Sequence, residues 1–99
     1  MKLIEVIGKI TEMDEGSKQI SYNKAYNYIR VDVTSLKTKR KYSIFIDHNK
    51  VEQYGFMPRV GLLILVRGTL FKATDEMFNP TIKYLTIFKH ISEKDVKKR

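Results

Sequence analysis

Two stretches in the first half of the chain, residues 26–33 and 41–46, alternate between apolar positions and polar or aromatic positions. Alternation with a period of two is typical of β-strands that bury one face against a core. A short basic turn at 35–38 joins the stretches, so we predict a β-hairpin. One of its faces is aliphatic, and the other mixes aromatic rings with charges. The inward positions are Ile29, Val31, Val33, Ile44 and Ile46.

The rest of the chain predicts three further strands and two long connections. Gly8 and Gly68, inside the first and fourth strands, indicate the bends with which strands turn the corners of a barrel. The connection after strand 1 is polar, and it forms a long loop or a protruding hairpin. Residues 92–99 are charged and form a short, frayed basic tail. The further strands cover 2–12, 60–72 and 81–91, and the connections cover 13–24 and 73–80.

A short helix is predicted between strands 3 and 4. Asn49 followed by Glu52 is a capping-box pattern that marks its start, and Gly55 favours a left-handed end. Five strands, a helix after the third, and long connections after the first and fourth are the order of the oligonucleotide-binding (OB) fold. We therefore predict an all-β, five-stranded OB-fold barrel over residues 1–91.

Charge and composition favour a polyanionic partner. The 99 residues contain 19 Lys and Arg against 11 Asp and Glu, a formal net charge of +8. Removing residues 92–99 takes away only four of these cations and two of the anions, so the barrel is basic in its own right. This favours nucleic acid ahead of an anionic membrane. The absence of cysteine and of any long apolar run fits a cytoplasmic protein with no membrane segment.

The outer face of the hairpin carries groups suited to single-stranded nucleic acid, because rings accept stacked bases and cations follow phosphates. The outward position of Phe45 depends on the strand register, since a shift of one residue in the pairing of strand 3 would bury it. No side chain signals base-edge recognition, so we expect little sequence specificity. The ring candidates are Tyr26, Tyr28, Phe45, Phe71 and Phe78. The phosphate candidates are Arg30, Lys37, Lys39, Arg40 and Lys41, followed by Lys18, Lys24, Arg67 and Lys72.

Catalytic chemistry is not indicated. The sequence has no cysteine, no glycine-rich phosphate loop and no pair of histidines at metal-binding spacing, since His48 and His90 are 42 residues apart. Asp47 precedes the predicted helix, where a carboxylate caps backbone N–H groups. We therefore expect a non-enzymatic protein with no catalytic residues, no metal and no cofactor.

Two segments, residues 6–10 and 66–70, resemble the bacterial and phage single-stranded DNA-binding proteins. They read Val-Ile-Gly-Lys-Ile and Val-Arg-Gly-Thr-Leu, and the resemblance extends in element order over about residues 2–91. It implies largely sequence-nonspecific binding of single-stranded DNA in replication or recombination, with bases stacked on strands 2 and 3. The chain has neither tryptophan nor the acidic tail tip of bacterial members. These departures favour a short member from a phage or another mobile element.

The resemblance also implies a homodimer or homotetramer that forms through strand 1. Four aliphatic residues lie on the outward parity of strands 1 and 4, and together they predict a subunit interface. Two other functions remain open. In the first, the barrel is an RNA-binding OB domain, which no residue here separates from a DNA-binding one. In the second, it is a protein-interaction module of a replication or conjugation complex. The interface candidates are Leu3, Ile7, Leu63 and Leu65.

Overall fold

A closed five-stranded barrel is the architecture of the computed structural model, which describes residues 2–21, 24–73 and 78–97; the side chains of 18–21, 24, 26 and 97 lie outside the description. The strand order around the barrel is β1-β2-β3-β5-β4, with a 3-10 helix between β3 and β4. The predicted all-β OB-type barrel is thereby confirmed. The described elements are β1 (Lys2–Ser21), β2 (Lys24–Ser35), β3 (Lys41–Asp47), the 3-10 helix (His48–Tyr54), β4 (Leu63–Phe71), β5 (Thr81–His90) and α1 (Glu93–Lys97).

β1 closes the barrel because it pairs with two strands in succession. Its first part pairs antiparallel with β4, and from Gly8 onward it pairs antiparallel with β2. Gly8 itself lies opposite both Ser35 and Ile64. A Cβ atom at Gly8 would lie 2.4 Å from the carbonyl oxygen of Thr34, so only glycine permits this approach of two backbones.

A bulge then sets which side chains of β1 face outward. The register between β1 and β2 shifts between Ile10 and Glu12, which leaves Thr11 as the extra residue. Ile10 is fully buried and Met13 packs against the core, so the even-numbered residues from Glu12 onward lie on the outer face. The Thr11 hydroxyl lies 3.2 Å from the hydroxyl of Thr34 across the bulge.

The connection predicted at 13–24 is a protruding hairpin rather than a loop. β1 continues to Ser21 and stays paired with β2 down to Lys24. β3 pairs with β2 only from Tyr28 onward, so the tip of the hairpin extends past the other strands. The long dimension of the molecule, 49 Å against 31 and 22 Å, reflects this extension.

The alternating positions of β2 and β3 fill the barrel as predicted. Their inward side chains are at most 2% exposed and belong to one cluster with residues of β1, β4 and β5. Burying each such aliphatic side chain stabilises the fold by about 1.5–3 kcal/mol. Tyr42 is also buried in this cluster. The confirmed inward residues are Ile29, Val31, Val33, Ile44 and Ile46.

The 3-10 helix packs on the core through Val51, which is buried. It begins two residues earlier than the capping box predicts, since that pattern places the cap at Asn49. The carboxylate of Asp47 accepts the N–H of Asn49 at 2.9 Å, so Asp47 is the cap. The helix ends at Gly55, whose φ of 78° is the predicted left-handed conformation.

The expected subunit surface on β1 and β4 is partly covered within the chain. Ile64 and Val66 fill the barrel, so Leu65 between them points to the outside of β4. Leu65 is nevertheless only 1% exposed, which leaves no side-chain surface for a second subunit. The expectation that Leu65 contributes to an interface is therefore wrong. Of the other expected interface residues, Leu3 is exposed, whereas Ile7 and Leu63 are half-buried.

Residues after β5 return to the beginning of β4. Ile91 is buried, and its N–H donates to the Leu63 carbonyl at 3.1 Å. The chain predicted as a frayed tail then forms the short helix α1. Val96 of α1 lines a cavity together with Ile7, the cross-strand neighbour of Leu65. The C-terminal segment therefore lies beside β1 and the start of β4.

We predict that Gly8→Ala lowers the free energy of unfolding by about 1–3 kcal/mol, because the new methyl group forces β1 and β2 apart. Chemical denaturation followed by circular dichroism measures the change. Lys9→Ala is the matched control, since Lys9 is the next residue along and is exposed. Equal stability of Gly8→Ala and Lys9→Ala would contradict the close approach.

Candidate nucleic-acid interface

The outer face of β1, β2 and β3 forms a ladder in which strand register places side chains in rows. Rows two residues apart are separated by roughly 7 Å. We refer to this set of rows as the ladder. From the hairpin end to the β2–β3 turn, its rows are Gly16–Tyr28–Asp47, Asp14–Arg30–Phe45, Glu12–Asp32–Ser43 and Lys9–Thr34–Lys41.

Two aromatic rings lie at the hairpin end of the ladder. Tyr28 and Phe45 contact each other edge to face, with ring centroids 5.4 Å apart. A Cβ atom at Gly16 would lie 2.5 Å from the Tyr28 hydroxyl oxygen, so the tyrosine ring lies across the glycine backbone. Phe45 is 44% exposed, which confirms its outward register. The side chain of Tyr26, the other predicted ring on β2, lies outside the described residues.

A buried polar network lies in the middle of the ladder. The Ser43 hydroxyl donates to Asp32 Oδ1 at 2.7 Å, and both residues are buried. Arg30 Nε lies 3.6 Å from Asp32 Oδ2. Nε is a buried atom without a hydrogen-bond partner among the described residues, while about a third of the Arg30 side chain is exposed. Asp32 therefore holds the base of the guanidinium, whose outer part faces the solvent.

A groove of about 440 Å³ lies above this network. Tyr28, Phe45 and Phe78 contribute rings to its lining, and Phe78 is 69% exposed. The charged groups among its described lining residues are three carboxylates and a single guanidinium. The centre of the predicted ring-and-cation face is therefore acidic, because β1 brings its carboxylates beside β2. The carboxylates are Glu12, Asp14 and Asp32, and the guanidinium is Arg30.

A second groove adjoins the first on the side of β5. Tyr28 and Phe45 line both grooves, and the second also contains Lys50, Lys83 and Tyr84 together with a single carboxylate, Asp47. Its volume is about 730 Å³. Lysine ammonium groups next to exposed rings suit a phosphodiester whose bases stack. Lys50, Lys83 and Tyr84 were not among the candidates from the sequence, because Lys50 lies in the helix and the other two lie in β5, outside the hairpin whose alternation indicated the site.

An irregularity in β5 exposes Tyr84. Thr69 pairs with Lys83 and Arg67 pairs with Ile87, so residues 84–86 lie opposite Gly68 alone. Tyr84 has a φ of 53°, a conformation that aromatic residues rarely adopt, and it is 75% exposed. Strained residues of this kind are concentrated at functional sites.

Phe71, the predicted ring candidate before the second connection, lies beside Tyr84 and Lys83. Its ring lies 5.9 Å from that of Tyr84, and the Lys83 ammonium group lies 5.0 Å from its centroid. A cation over a ring face is attracted by the ring quadrupole. Lys72 follows directly and is exposed.

The predicted cations of the β2–β3 turn lie at the far end of the ladder from the rings. They are exposed, and the turn is held by hydrogen bonds to Ser35, including the N–H of Lys39 to its carbonyl at 3.0 Å. Lys39 has a φ of 64° and belongs to the turn, not to the outer face of β3. Arg67 lies opposite Glu5 and lines neither groove. The turn cations are Lys37, Lys39 and Arg40, and Lys41 begins β3. The side chains of Lys18 and Lys24 are not described.

Comparisons with known proteins identify no relative: no protein-family model, no curated protein and no solved structure matches this chain. Within residues 2–21, 24–73 and 78–97, no cluster of three or more His, Cys, Asp or Glu residues is arranged to hold a metal ion. No helix in the same ranges is long and apolar enough to cross a membrane.

We predict that Tyr84→Gly is more stable than Tyr84→Ala by about 1 kcal/mol, because glycine adopts positive φ without a steric penalty. Both substitutions remove the ring, so their difference isolates the backbone term. Thermal unfolding of the two variants measures it. In an ordinary strand the order is reversed, and that reversed order would contradict the strained conformation.

Proposed function

We propose that this protein binds single-stranded nucleic acid, with DNA as the first candidate, on the ladder and the adjoining groove beside β5. The observation that carries the proposal is the ring pair of half-buried Tyr28 and exposed Phe45 between two grooves, with Lys50 and Lys83 alongside. Exposed rings beside flexible cations are the combination by which proteins bind single strands with little dependence on sequence. The OB-type barrel supports the proposal, since such barrels bind oligomers on the face of strands 2 and 3.

The charge distribution suggests how a strand lies on this surface. Phosphates are repelled by the carboxylates of the first groove and attracted by the lysines of the second. In the proposed complex the backbone therefore passes over Lys50 and Lys83, and the bases turn toward Phe45 and Tyr28. The turn at Lys37 to Lys41 provides a further basic segment at the other end of the ladder. Binding of this kind is not catalytic.

DNA is preferred to RNA only by the resemblance of residues 6–10 and 66–70 to single-stranded DNA-binding proteins. A 2′-hydroxyl is what distinguishes the two ligands at a given site. Competition between dT and U oligomers of equal length decides between them. Stronger competition by the dT oligomer supports the DNA assignment, and stronger competition by the U oligomer replaces it with RNA.

We predict that Phe45→Ala weakens binding of a fluorescent dT oligomer by about 1–3 kcal/mol, because the substitution removes a stacking surface. Fluorescence anisotropy at low salt measures the dissociation constant. Met57→Ala is the matched control, since Met57 is exposed and lines neither groove. Equal affinities of both variants and the wild type would remove Phe45 from the interface.

Removal of Lys50 and Lys83 together is predicted to reduce the salt dependence of binding. Each phosphate contact to a single strand contributes about 0.7 to the slope of log K against log salt concentration, so the double Ala variant is expected to lose about 1.4 in slope. Anisotropy titrations at several salt concentrations measure it. A Lys89→Ala/Lys94→Ala variant removes equal charge from exposed positions outside both grooves. Identical slopes for the two double variants would show that no phosphate contacts Lys50 or Lys83.

A further inference from the structure

We propose that the groove above the ladder reads base edges and favours bases with an exocyclic amino group, guanine foremost. This inference rests on the proposed function and adds a base preference to it. It departs from the expectation of little sequence specificity. The observations behind it are the charges, burial and register of the residues that line the groove.

The groove is suited to a base and not to a phosphate. Phe45 and Phe78 provide exposed rings in its lining, and the carboxylates in it outnumber the guanidinium by three to one among the described residues. A phosphate placed there is repelled. The uncharged ring of a base is not repelled, and its amino group is a donor that carboxylates accept.

The polar groups are arranged as an acceptor beside a donor. Asp14 and Arg30 are direct cross-strand neighbours on β1 and β2, so their Cβ atoms lie roughly 5 Å apart. Asp14 Oδ1 accepts the N–H of Glu15 at 2.9 Å, which orients that carboxylate. Asp32 is buried and accepts the Ser43 hydroxyl, and its Oδ2 lies 3.6 Å from Arg30 Nε. A base thus meets a carboxylate and a guanidinium at the same level of the ladder.

Guanine matches this arrangement best. Its Watson–Crick edge presents the O6 acceptor next to two donors, N1–H and the 2-amino group. The guanidinium of Arg30 donates to O6, and a carboxylate accepts the two N–H groups side by side. Cytosine and adenine each offer one amino group, which carboxylates and amides accept in base recognition. Thymine has no amino group, and its single N–H lies between two carbonyl oxygens that face the carboxylates unfavourably.

The three carboxylates of the groove have different roles. Asp32 is 5% exposed and is occupied by Ser43 and Arg30, so it positions the guanidinium. Glu12 and Asp14 are exposed on β1 and are the acceptors within reach of a base. Because both are exposed, their amide variants are expected to fold like the wild type.

The test compares 12-residue oligomers of alternating dT-dG and dT-dI with dT alone, by anisotropy at one salt concentration. Hypoxanthine in dI differs from guanine only by lacking the 2-amino group, and in an alternating sequence a shift of one nucleotide brings that base to any given position of the groove. We expect dT-dG to bind about fivefold or more tightly than dT-dI, in keeping with the discrimination of a paired base contact.

The Glu12→Gln/Asp14→Asn variant separates recognition from charge. It is expected to bind dT more tightly than the wild type, because repulsion of phosphates falls. Its preference for dT-dG over dT-dI is expected to fall, because an amide has one acceptor oxygen beside a donor, whereas a carboxylate accepts both N–H groups of guanine. Glu52→Gln/Glu93→Gln changes the same charge at exposed positions outside the groove, and it is expected to keep the preference.

The outcomes distinguish the two proposals. Absence of binding to all three oligomers would overturn the proposed function. Binding of all three with equal affinity for dT-dG and dT-dI would overturn the base preference alone. A preference that survives unchanged in Glu12→Gln/Asp14→Asn would overturn the assignment of the carboxylates as its cause.

Discussion

The close approach of backbones at Gly8 is the constraint on which the barrel depends. β1 exchanges one partner strand for another at this residue, where its pairing with β4 and its pairing with β2 meet. The bulge at Thr11 then turns the even-numbered residues of β1 outward, beside the outward residues of β2. The ladder is therefore a consequence of barrel closure, and a different register would present another set of side chains.

The ladder separates three kinds of side chain along its four rows: aromatic rings, a buried polar pair and exposed cations. Tyr28 and Phe45 lie at the hairpin end, the buried Asp32–Ser43 pair lies in the middle, and the basic turn lies at the far end. In one groove three carboxylates outnumber the guanidinium beside the rings, whereas in the other two lysines outnumber a single carboxylate, Asp47, among the described residues. This division allows a single strand to keep its phosphates apart from the carboxylates while its bases contact the rings.

Much of the fold was predictable because alternation in β2 and β3 is local and unambiguous. The same alternation correctly placed Phe45 outside. Contacts across the chain were not predictable: the carboxylates at Glu12 and Asp14 enter the face only through pairing of β1 with β2. Tyr84 lies among the apolar residues of β5, and only the irregularity opposite Gly68 exposes it. The alternation along β4 places Leu65 on the outward side, but Leu65 is buried in the folded chain. The C-terminal segment returns to this part of the barrel.

The absence of tryptophan from the chain allows a direct measurement of the central claim, that bases stack on Phe45. A Phe45→Trp variant carries a lone indole on the ladder, and a Met57→Trp variant carries one outside both grooves. The account predicts that saturating single-stranded oligonucleotide quenches the emission of Phe45→Trp in proportion to binding and leaves that of Met57→Trp unchanged. Binding that saturates by anisotropy without any change in the emission of Phe45→Trp would contradict it.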